Sequence, residues 1–235
     1  MMREEMKKAL LQMYENLNAA SERQAERGGH DQGARSQVTG GKHLNCVAEV
    51  IRNDLIDVGY NAQEVYYKDG CLRLPGWYRP SKDWDLLAFD DNDLLAILEL
   101  KSINSSFGNN ANNRSEESLG SAVDAAHAIK NELIPFQTAP PLLAYVLVIR
   151  LCDDSTRVSS TAQKSVYPID DVFKQTSYFE RLTIFCRRLL AERMYQAVWV
   201  VGVNPNTGEI IEPDHDLTYE KFIAVLKAQL DVHRA

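Results

Sequence analysis

The sequence predicts an α/β protein with a mixed central sheet, an antiparallel meander of strands and flanking helices. Apolar and polar residues alternate with a period of two through residues 62–101, which predicts three strands joined by tight turns. Two continuous apolar runs, 141–151 and 196–203, have the composition of buried central strands. Segments with helical spacing precede, separate and follow these runs.

Two helices are predicted ahead of the meander. Residues 3–26 place apolar side chains at helical spacing. A glycine-rich segment, residues 28–41, follows as a plain linker or a mobile arm. Residues 42–58 form the second helix, with one continuous apolar face, and Gly59 is typical of a helix C-terminus.

After the meander, residues 102–115 are polar and predict a long loop. The next helix is predicted over 116–133, with four apolar residues facing inward: Leu119, Val123, Ala126 and Leu133. A buried strand, a helix, another buried strand and a last helix over 219–232 complete the order.

The 235 residues are predicted to form a single domain, 1–235, because this length suits one large α/β unit. Within it we distinguish a helical N-terminal extension and loop (1–40), a core that holds the candidate site (41–151) and a C-terminal α/β completion (152–235).

The composition is that of an ordinary globular protein, with 45% hydrophobic and 25% charged residues. No run of 18 apolar residues is present and the first segment is charged and amphipathic, so we expect a cytoplasmic protein without a membrane span. Four cysteines lack Cys-x-x-Cys spacing, which argues against a zinc site or disulfide framework: Cys46, Cys71, Cys152 and Cys186. Residues 45–144 account for the whole net charge of −7. This acidic segment either attracts a divalent cation or is an ordinary solvated surface.

Three charged residues of the meander form the candidate site. Asp85 opens one apolar run, whereas Glu99 and Lys101 lie two apart near the end of the next and therefore leave the same face of a strand. Charges among apolar residues need a partner or a role. Asp85 lies opposite Glu99 only if the hairpin has an odd loop, such as 91–93, or a bulge. We predict that register; the alternative is a strand-edge ion pair.

In that register two carboxylates, Asp85 and Glu99, converge and can hold Mg²⁺ through hard oxygen ligands. Lys101 lies beside them as a cation. Hydrolysis of a phosphodiester needs an activated water and neutralisation of charge on the phosphoryl oxygens, and a metal ion with an ammonium group can supply both. The pattern therefore predicts a magnesium-dependent phosphodiesterase site.

The pattern of Asp85 with Glu99-Leu100-Lys101 resembles the PD-(D/E)xK nuclease superfamily, and the order of helices and strands resembles its restriction-endonuclease-like core. The segments LPGWYRPSKDWDLLAF, ILELKS and SFGNNANNRSEESLGSAVDAA resemble the XhoI-type family of type II restriction endonucleases over about residues 39–130. The proline that often precedes the motif aspartate is Trp84 here, which leaves Asp83 as a rival to Asp85.

The resemblance implies a homodimeric, Mg²⁺-dependent enzyme that cuts both strands of double-stranded DNA at a short palindrome. The family expectation is the site CTCGAG, with 5′-phosphate and 3′-hydroxyl ends. It also implies that Asp85, Glu99 and Lys101 are the catalytic residues and that Asp85 and Glu99 bind the metal.

DNA contacts are expected from the polar segment after the site. Asparagine can pair twice with adenine and arginine twice with guanine, and five such side chains lie close together: Asn109, Asn110, Asn112, Asn113 and Arg114. An ordinary polar loop is the alternative. Glu116 and Glu117 are predicted to interact with the dipole of the helix they begin.

Other residues are weaker candidates. Lys42 and His43 follow a glycine pair at a helix start, where a phosphate can bind, although simple helix entry explains them better. Glu49, on the second helix, is a possible auxiliary ligand, as is Asp83. Trp77 and Tyr78 are expected to pack in the core rather than to stack on a base.

Three other functions remain open from the sequence. A structure-specific repair or recombination nuclease would share the metal site. The Asp83-Trp84-Asp85 triplet also matches the Asp-x-Asp of glycosyltransferases, although residues 1–80 offer no nucleotide-binding α/β unit. A non-catalytic DNA-binding module would retain the carboxylates for structure alone.

Overall fold

The fold is described from a computed structural model, which covers residues 2–26, 42–68, 71–159 and 166–235, without the side chains of 20–26 and Lys42. The predicted linker 28–41 lies outside the described residues. Among the described residues, no helix has both the length and the apolar content needed to cross a bilayer.

The described helices have the following bounds: α1 Glu4–Glu26, α2 Asn45–Asp57, α3 Phe107–Lys130, α4 Asp153–Thr156, α5 Tyr178–Ala191 and α6 Tyr219–His233. Helices α5 and α6 begin at hydroxyl caps, because Ser177 accepts a hydrogen bond from the Glu180 amide and Thr218 accepts one from the Lys221 amide. A short 3₁₀ turn, Lys42–Leu44, leads into α2.

The described strands are β1 Val65–Tyr67, β2 Arg73–Pro75, β3 Ser81–Asp83, β4 Leu86–Asp90, β5 Asp93–Ile103, β6 Leu142–Arg150, β7 Ala197–Val203 and β8 Ile210–Ile211. Six of them form a sheet in the order β1-β4-β5-β6-β7-β8. The β1-β4-β5 meander is antiparallel, as predicted, while β5, β6 and β7 are parallel and β8 is antiparallel to β7. The mixed sheet with flanking helices agrees with the predicted α/β class.

The sheet separates two apolar layers. Helices α1, α2 and α6 cover one face, where Leu98 and Leu100 of β5 point. Helices α3 and α5 cover the other face, where Ile97 points. Because side chains alternate along a strand, Glu99 and Lys101 leave β5 on the same side as Ile97 and meet the α3 layer. The candidate site therefore lies between the sheet and α3.

The β4-β5 hairpin has a two-residue turn and a bulge. Asp91 and Asn92 both have positive φ, 49° and 64°, as a type I′ turn requires. Asp90 pairs with Asp93 and Phe89 with Leu94, but Ala88 pairs with Ala96, so Leu95 is an extra residue. Beyond the bulge the strands adopt the predicted register, in which Asp85 approaches Glu99. The bulge, one of the two predicted routes, produces this register.

One prediction in this region is wrong, and one element was not predicted. The long loop over 102–115 does not exist, because α3 begins at Phe107 and includes most of that segment. Phe107 is buried and stacks on Tyr178, with 6.3 Å between the ring centroids, so a tertiary contact fixes the start of the helix. The β2-β3 hairpin was also not predicted; it forms its own two-stranded sheet.

The inward face of α3 differs from the predicted one as well. Leu119, Val123, Ala126 and Leu133 are exposed, whereas small residues face the sheet: Ser118, Ser121, Ala122, Ala125 and Ala128. The helix begins nine residues earlier than predicted, but this does not change which residues share a face. The prediction is therefore wrong about which face of the helix is buried. Small side chains let α3 approach the sheet closely. A prediction that buries the largest apolar side chains does not identify this face.

Candidate active site

Asp85 lies just before β4 and is fixed by the backbone of β5. Its amide donates to the Leu98 carbonyl at 3.1 Å, and its Oδ2 accepts a hydrogen bond from the Leu100 amide at 2.7 Å. The carboxylate thus takes the place of a backbone carbonyl at the edge of β4. These two bonds hold Asp85 beside the residue that precedes Leu100, which is Glu99.

Glu99 is 2% exposed, and each of its carboxylate oxygens contacts the ammonium group of a lysine. Lys101 pairs with Oε1, and Lys82 Nζ lies 2.7 Å from Oε2. Lys101 comes from the same face of β5, whereas Lys82 comes from the middle of β3. A carboxylate this buried needs such cations, since an unpaired charge in the interior is costly.

The pKa values follow from burial and these neighbours. Burial raises the pKa of Asp85 and the negative charge of Glu99 raises it further, so it lies above its ordinary value despite the Leu100 amide and the lysines. Burial also acts to raise the pKa of Glu99, but Lys101 and Lys82 outweigh it and the net pKa is lowered. Burial lowers the pKa of Lys101, yet Glu99 and Asp85 raise it above its ordinary value. The site therefore contains two mutually repelling carboxylates.

An open cleft of about 430 Å³ reaches Glu99 and Lys101 of this site, whereas Asp85 is not among its lining residues. It lies between β3, β5 and α3, and its lining is almost entirely polar: Arg79, Lys82, Glu99, Lys101, Glu116, Glu117, Gly120 and Ser121. Glu116 and Glu117 are in the third turn of α3, so the prediction that they begin the helix is wrong. Glu117 instead pairs with Arg114.

Two cations of the cleft, Arg79 and Lys82, were missed by the sequence reasoning. Arg79 is held by Asp124 of α3, whose Oδ2 accepts from the arginine Nε at 2.7 Å. Asp124 also accepts from the amides of Trp77 and Tyr78 at 2.8 and 2.7 Å. Its carboxylate is 2% exposed, and these donors outweigh burial and lower its pKa. One buried side chain thus fixes the whole loop before β3.

Gly76 allows that loop to approach α3. A Cβ atom at this position would lie 2.7 Å from both Asp124 Oδ2 and the Arg79 carbonyl oxygen. The prediction that Trp77 and Tyr78 pack in the core is wrong, because they are 46% and 65% exposed. Both rings lie against His127 of α3, with 6.4 and 5.4 Å between the ring centroids.

The auxiliary candidates lie elsewhere. Asp83 is exposed and forms a two-fold ion pair with Arg73 across the β2-β3 hairpin, at 2.8 and 2.9 Å. Because it neighbours Lys82 in a strand, it points away from Glu99. Glu49 is exposed on α2 and is not among the residues that line the cleft. The structure therefore brings Asp85, rather than Asp83, to Glu99.

The asparagines lie on the first two turns of α3. Asn109, Asn112 and Asn113 are exposed, and their spacing places them on one face of the helix. Asn110 is half-buried and its amide donates to the Ser105 carbonyl at 2.5 Å. Arg114 reaches back toward the cleft, where its charge acts on the pKa of Lys101.

Lys42 and His43 lie in the 3₁₀ turn before α2. The Lys42 side chain is outside the described part of the structure. His43 Nε2 lies 2.7 Å from Ser102 Oγ, in the residue that follows Lys101. His43 therefore supports the end of β5 from the face opposite to the cleft.

One other acidic group was not anticipated. Asp214, His215 and Asp216 offer ligand atoms within 4.8 Å of one another. Both carboxylates already have cationic partners, since Arg187 pairs with the buried Asp214 and Lys221 pairs with Asp216 at 2.5 Å. This turn is thus explained as an ion-pair cluster.

The chain matches the family model of the restriction endonuclease XhoI over residues 23–212, which include every residue of the cleft. The chain belongs to the XhoI restriction endonuclease family. Members of the XhoI family are type II restriction enzymes, so this protein is a site-specific deoxyribonuclease. That assignment excludes the glycosyltransferase alternative, in agreement with the separation of Asp83 from Asp85.

Three curated members of the XhoI family illustrate the similarity. The type II restriction enzyme BstVI of Geobacillus stearothermophilus is 36% identical over 204 residues, covering 83% of this chain and 90% of the relative. The type II restriction enzyme XhoI of Xanthomonas vasicola is 36% identical over 204 residues, covering 86% and 77%. The type II restriction enzyme AbrI of Azospirillum brasilense is 32% identical over 152 residues, covering 64% and 68%. No solved structure matches this chain significantly.

Proposed function

We propose that this enzyme is a Mg²⁺-dependent endonuclease with a restriction-endonuclease-like core, in which Asp85 and Glu99 hold the metal and Lys101 is the catalytic lysine. The observation that carries the proposal is the β4-β5 bulge, since it brings Asp85 to the face of Glu99 and Lys101. A strand-edge ion pair alone would not require the third charge, the half-buried Asp85, to lie beside Glu99.

The donor set suits a hard divalent cation. Asp85 and Glu99 offer carboxylate oxygens, and the negative charge of Glu99 raises the pKa of Asp85, so the two groups repel each other. A cation between them relieves that repulsion, and Mg²⁺ prefers one or two carboxylates together with water and phosphate oxygens. The open cleft leaves room for those further ligands.

Lys101 supplies the other part of the chemistry. Mg²⁺, when bound, supplies Lewis-acid stabilisation of charge on the phosphate oxygens. The Lys101 ammonium, on the same face of β5, is placed to orient the attacking water and to stabilise the anionic transition state. Glu99 keeps the ammonium in position through its Oε1.

The exposed part of α3 is the proposed DNA surface. It carries Asn109, Asn112 and Asn113 on one face, next to a cleft that contains Arg79, Lys82 and Lys101. Phosphate contacts by the cations would position the duplex, and asparagine amides would read base edges. Lys42 and His43 remain weaker phosphate candidates at the other side of β5.

We further propose that the enzyme acts as a homodimer on the palindrome CTCGAG, leaving 5′-phosphate and 3′-hydroxyl ends. A palindrome presents the same base edges twice, so a two-fold symmetric protein matches it. Sedimentation of the protein alone and with a CTCGAG duplex tests this. A monomer under both conditions would contradict the dimer.

Plasmid cleavage tests the activity and the specificity separately. Wild type and Asp85→Ala are incubated with Mg²⁺, or with EDTA, on a plasmid that contains one CTCGAG site and on a pool of varied sequence. We expect one linear product, which requires Mg²⁺ and Asp85. A wild-type enzyme that leaves both substrates intact would contradict the proposed chemistry, whereas cleavage of the pool alone would contradict only the recognition sequence. Metal-independent DNA binding without any cleavage would favour the non-catalytic module.

A further inference from the structure

Lys82 is a cation that the Asp-Glu-x-Lys pattern does not contain, yet it contacts the candidate metal ligand. Its Nζ lies 2.7 Å from Glu99 Oε2 and 4.6 Å from the centroid of the Trp84 ring. The Lys82 side chain is 14% exposed. The carboxylate and the aromatic face both attract the Lys82 ammonium group.

The β2-β3 hairpin directs the Lys82 side chain toward Glu99. Lys82 pairs with Leu74 in the middle of the hairpin, and Asp83 is locked to Arg73 on the outer face. The amide of Trp84 donates to the Leu72 carbonyl at 2.9 Å, which continues the pairing up to the buried tryptophan. Because neighbours in a strand point in opposite directions, fixing Asp83 outward directs Lys82 inward.

Both oxygens of Glu99 are consequently occupied by ammonium groups. A divalent cation held by Asp85 and Glu99 would add its charge to a carboxylate that Lys82 and Lys101 already contact, so it would compete with an ammonium group there. Lysine has a flexible four-carbon stem and three rotatable donors, so its head group can move without disturbing β3. The adjoining cleft is where a DNA phosphate would lie under the proposed function.

We propose that Lys82 is a positioning residue with two partners: it neutralises Glu99 while the site holds no divalent cation, and it moves to a DNA phosphate oxygen when cation and DNA bind. This proposal rests on the proposed function, since it takes Glu99 as a metal ligand. It accounts for a charged side chain that is 2% exposed, since two ammonium groups lie against it.

The first test measures cation affinity without DNA. Tb³⁺ is titrated into the full-length protein and its luminescence, sensitised by the nearby Trp84, is recorded; Ca²⁺ is titrated by calorimetry in parallel. Removing a unit charge about 4 Å from the cation is worth a factor of about five even at the dielectric constant of water. We therefore expect Lys82→Met to bind either cation at least about fivefold more tightly, and Lys82→Arg to match wild type.

The second test measures DNA affinity as a function of salt. A CTCGAG duplex is titrated in Ca²⁺, with a gel to check that it stays intact. We expect Lys82→Met to bind the duplex more weakly and to reduce the slope of log affinity against log salt by about one, the effect of one lost phosphate contact. Lys82→Arg should restore the slope, which a purely structural role of Lys82 would not predict.

Lys227→Met serves as the matched control, because Lys227 lies on α6 and pairs with Asp231. It should change neither measurement. Thermal unfolding checks each variant, and Lys82→Gln replaces Lys82→Met should the latter fail to fold. An unchanged cation affinity in Lys82→Met, with a wild type that does cleave DNA, overturns the counter-ion role. An unchanged salt slope overturns the phosphate contact. A wild type that neither binds cation nor cleaves would instead contradict the proposed function itself.

Discussion

At the scale of single residues, the site depends on which aspartate faces Glu99. The sequence offers Asp83 and Asp85 with equal chemistry, and only the pairing of the strands separates them. Asp85 accepts from the Leu100 amide and adjoins Glu99, whereas Asp83 lies outside in a pair with Arg73. Replacing each of the two aspartates in turn therefore compares both candidate metal ligands within one protein.

Replacing each aspartate by asparagine tests the assignment. We expect Asp85→Asn to lower the rate of DNA cleavage by about 10²-fold or more, since a charge at the reacting centre is lost. Asp83→Asn should leave the rate within about twofold of wild type, because an exposed ion pair contributes little. Single-turnover cleavage of a labelled duplex measures both. The assignment is wrong if Asp83→Asn is the more damaging change.

The sequence could predict Asp85, Glu99 and Lys101 because all three belong to one hairpin, where the period of two fixes the faces. It could not predict Arg79 or Lys82. Arg79 is placed by Asp124, 45 positions later in the chain, and Lys82 by a hairpin that folds back over the cleft. The first contact is too distant in the chain, and the two three-residue strands of the hairpin are too short, to leave a periodic signal in the sequence.

At the scale of elements, α3 shows how tertiary contacts override local propensity. Four asparagines in its first two turns are poor helix formers, so the segment looked like a loop. Phe107, buried against Tyr178, starts the helix nonetheless. The result is a rigid polar face in place of a flexible loop, and a rigid face suits base readout.

Two asparagines of α3 have different predicted roles. We expect Asn113→Ala to reduce the preference for the specific duplex over a scrambled one by a free energy of about 1–3 kcal/mol, if the exposed amide reads a base. Asn110→Ala should leave that preference unchanged, since the Asn110 amide is used by the Ser105 carbonyl. Affinities for both duplexes, measured at one salt concentration, provide the comparison. Equal losses on the two duplexes would show that Asn113 contacts only the backbone of DNA.

The turn between β4 and β5 is a second element with a testable requirement. Asn92 has a φ of 64°, which asparagine and glycine accept and β-branched residues do not. We expect Asn92→Val to lower the free energy of unfolding by about 1–2 kcal/mol, and Asn92→Gly to preserve it. Urea denaturation monitors both variants. Equal stability of the valine and glycine variants would show that the turn adopts another conformation.

At the scale of the whole molecule, the last helix closes the structure onto the meander. Arg234, at the end of α6, donates to both oxygens of the buried Asp90 at 2.8 and 2.6 Å, and the Tyr60 hydroxyl donates to the Leu226 carbonyl at 2.7 Å. These contacts join the ends of β4, α2 and α6. The family match stops at residue 212, so α6 lies outside the matched segment while it supports the hairpin of the site.

The Arg234–Asp90 pair predicts a specific dependence of stability on pH. Hydrogen bonding from Arg234 lowers the pKa of folded Asp90 below its unfolded value, so the pair stabilises the protein above about pH 4 and loses that effect as pH falls through the lowered pKa. We expect Arg234→Ala to lower the free energy of unfolding by about 1–3 kcal/mol at pH 7. The difference from wild type should shrink at pH 3. A difference that is independent of pH would mean that Arg234 acts through packing alone.

The bulge at Leu95 makes the hairpin tolerant of a change in length by one residue. Deleting Leu95 would leave Phe89 opposite Leu94 and Ala88 opposite Ala96 in a regular hairpin, so Asp85 would still face Glu99. A turn longer by one residue would also preserve that alignment if the bulge is kept. Natural variants and engineered chimaeras should therefore differ in length at the turn or at the bulge while the two carboxylates stay together.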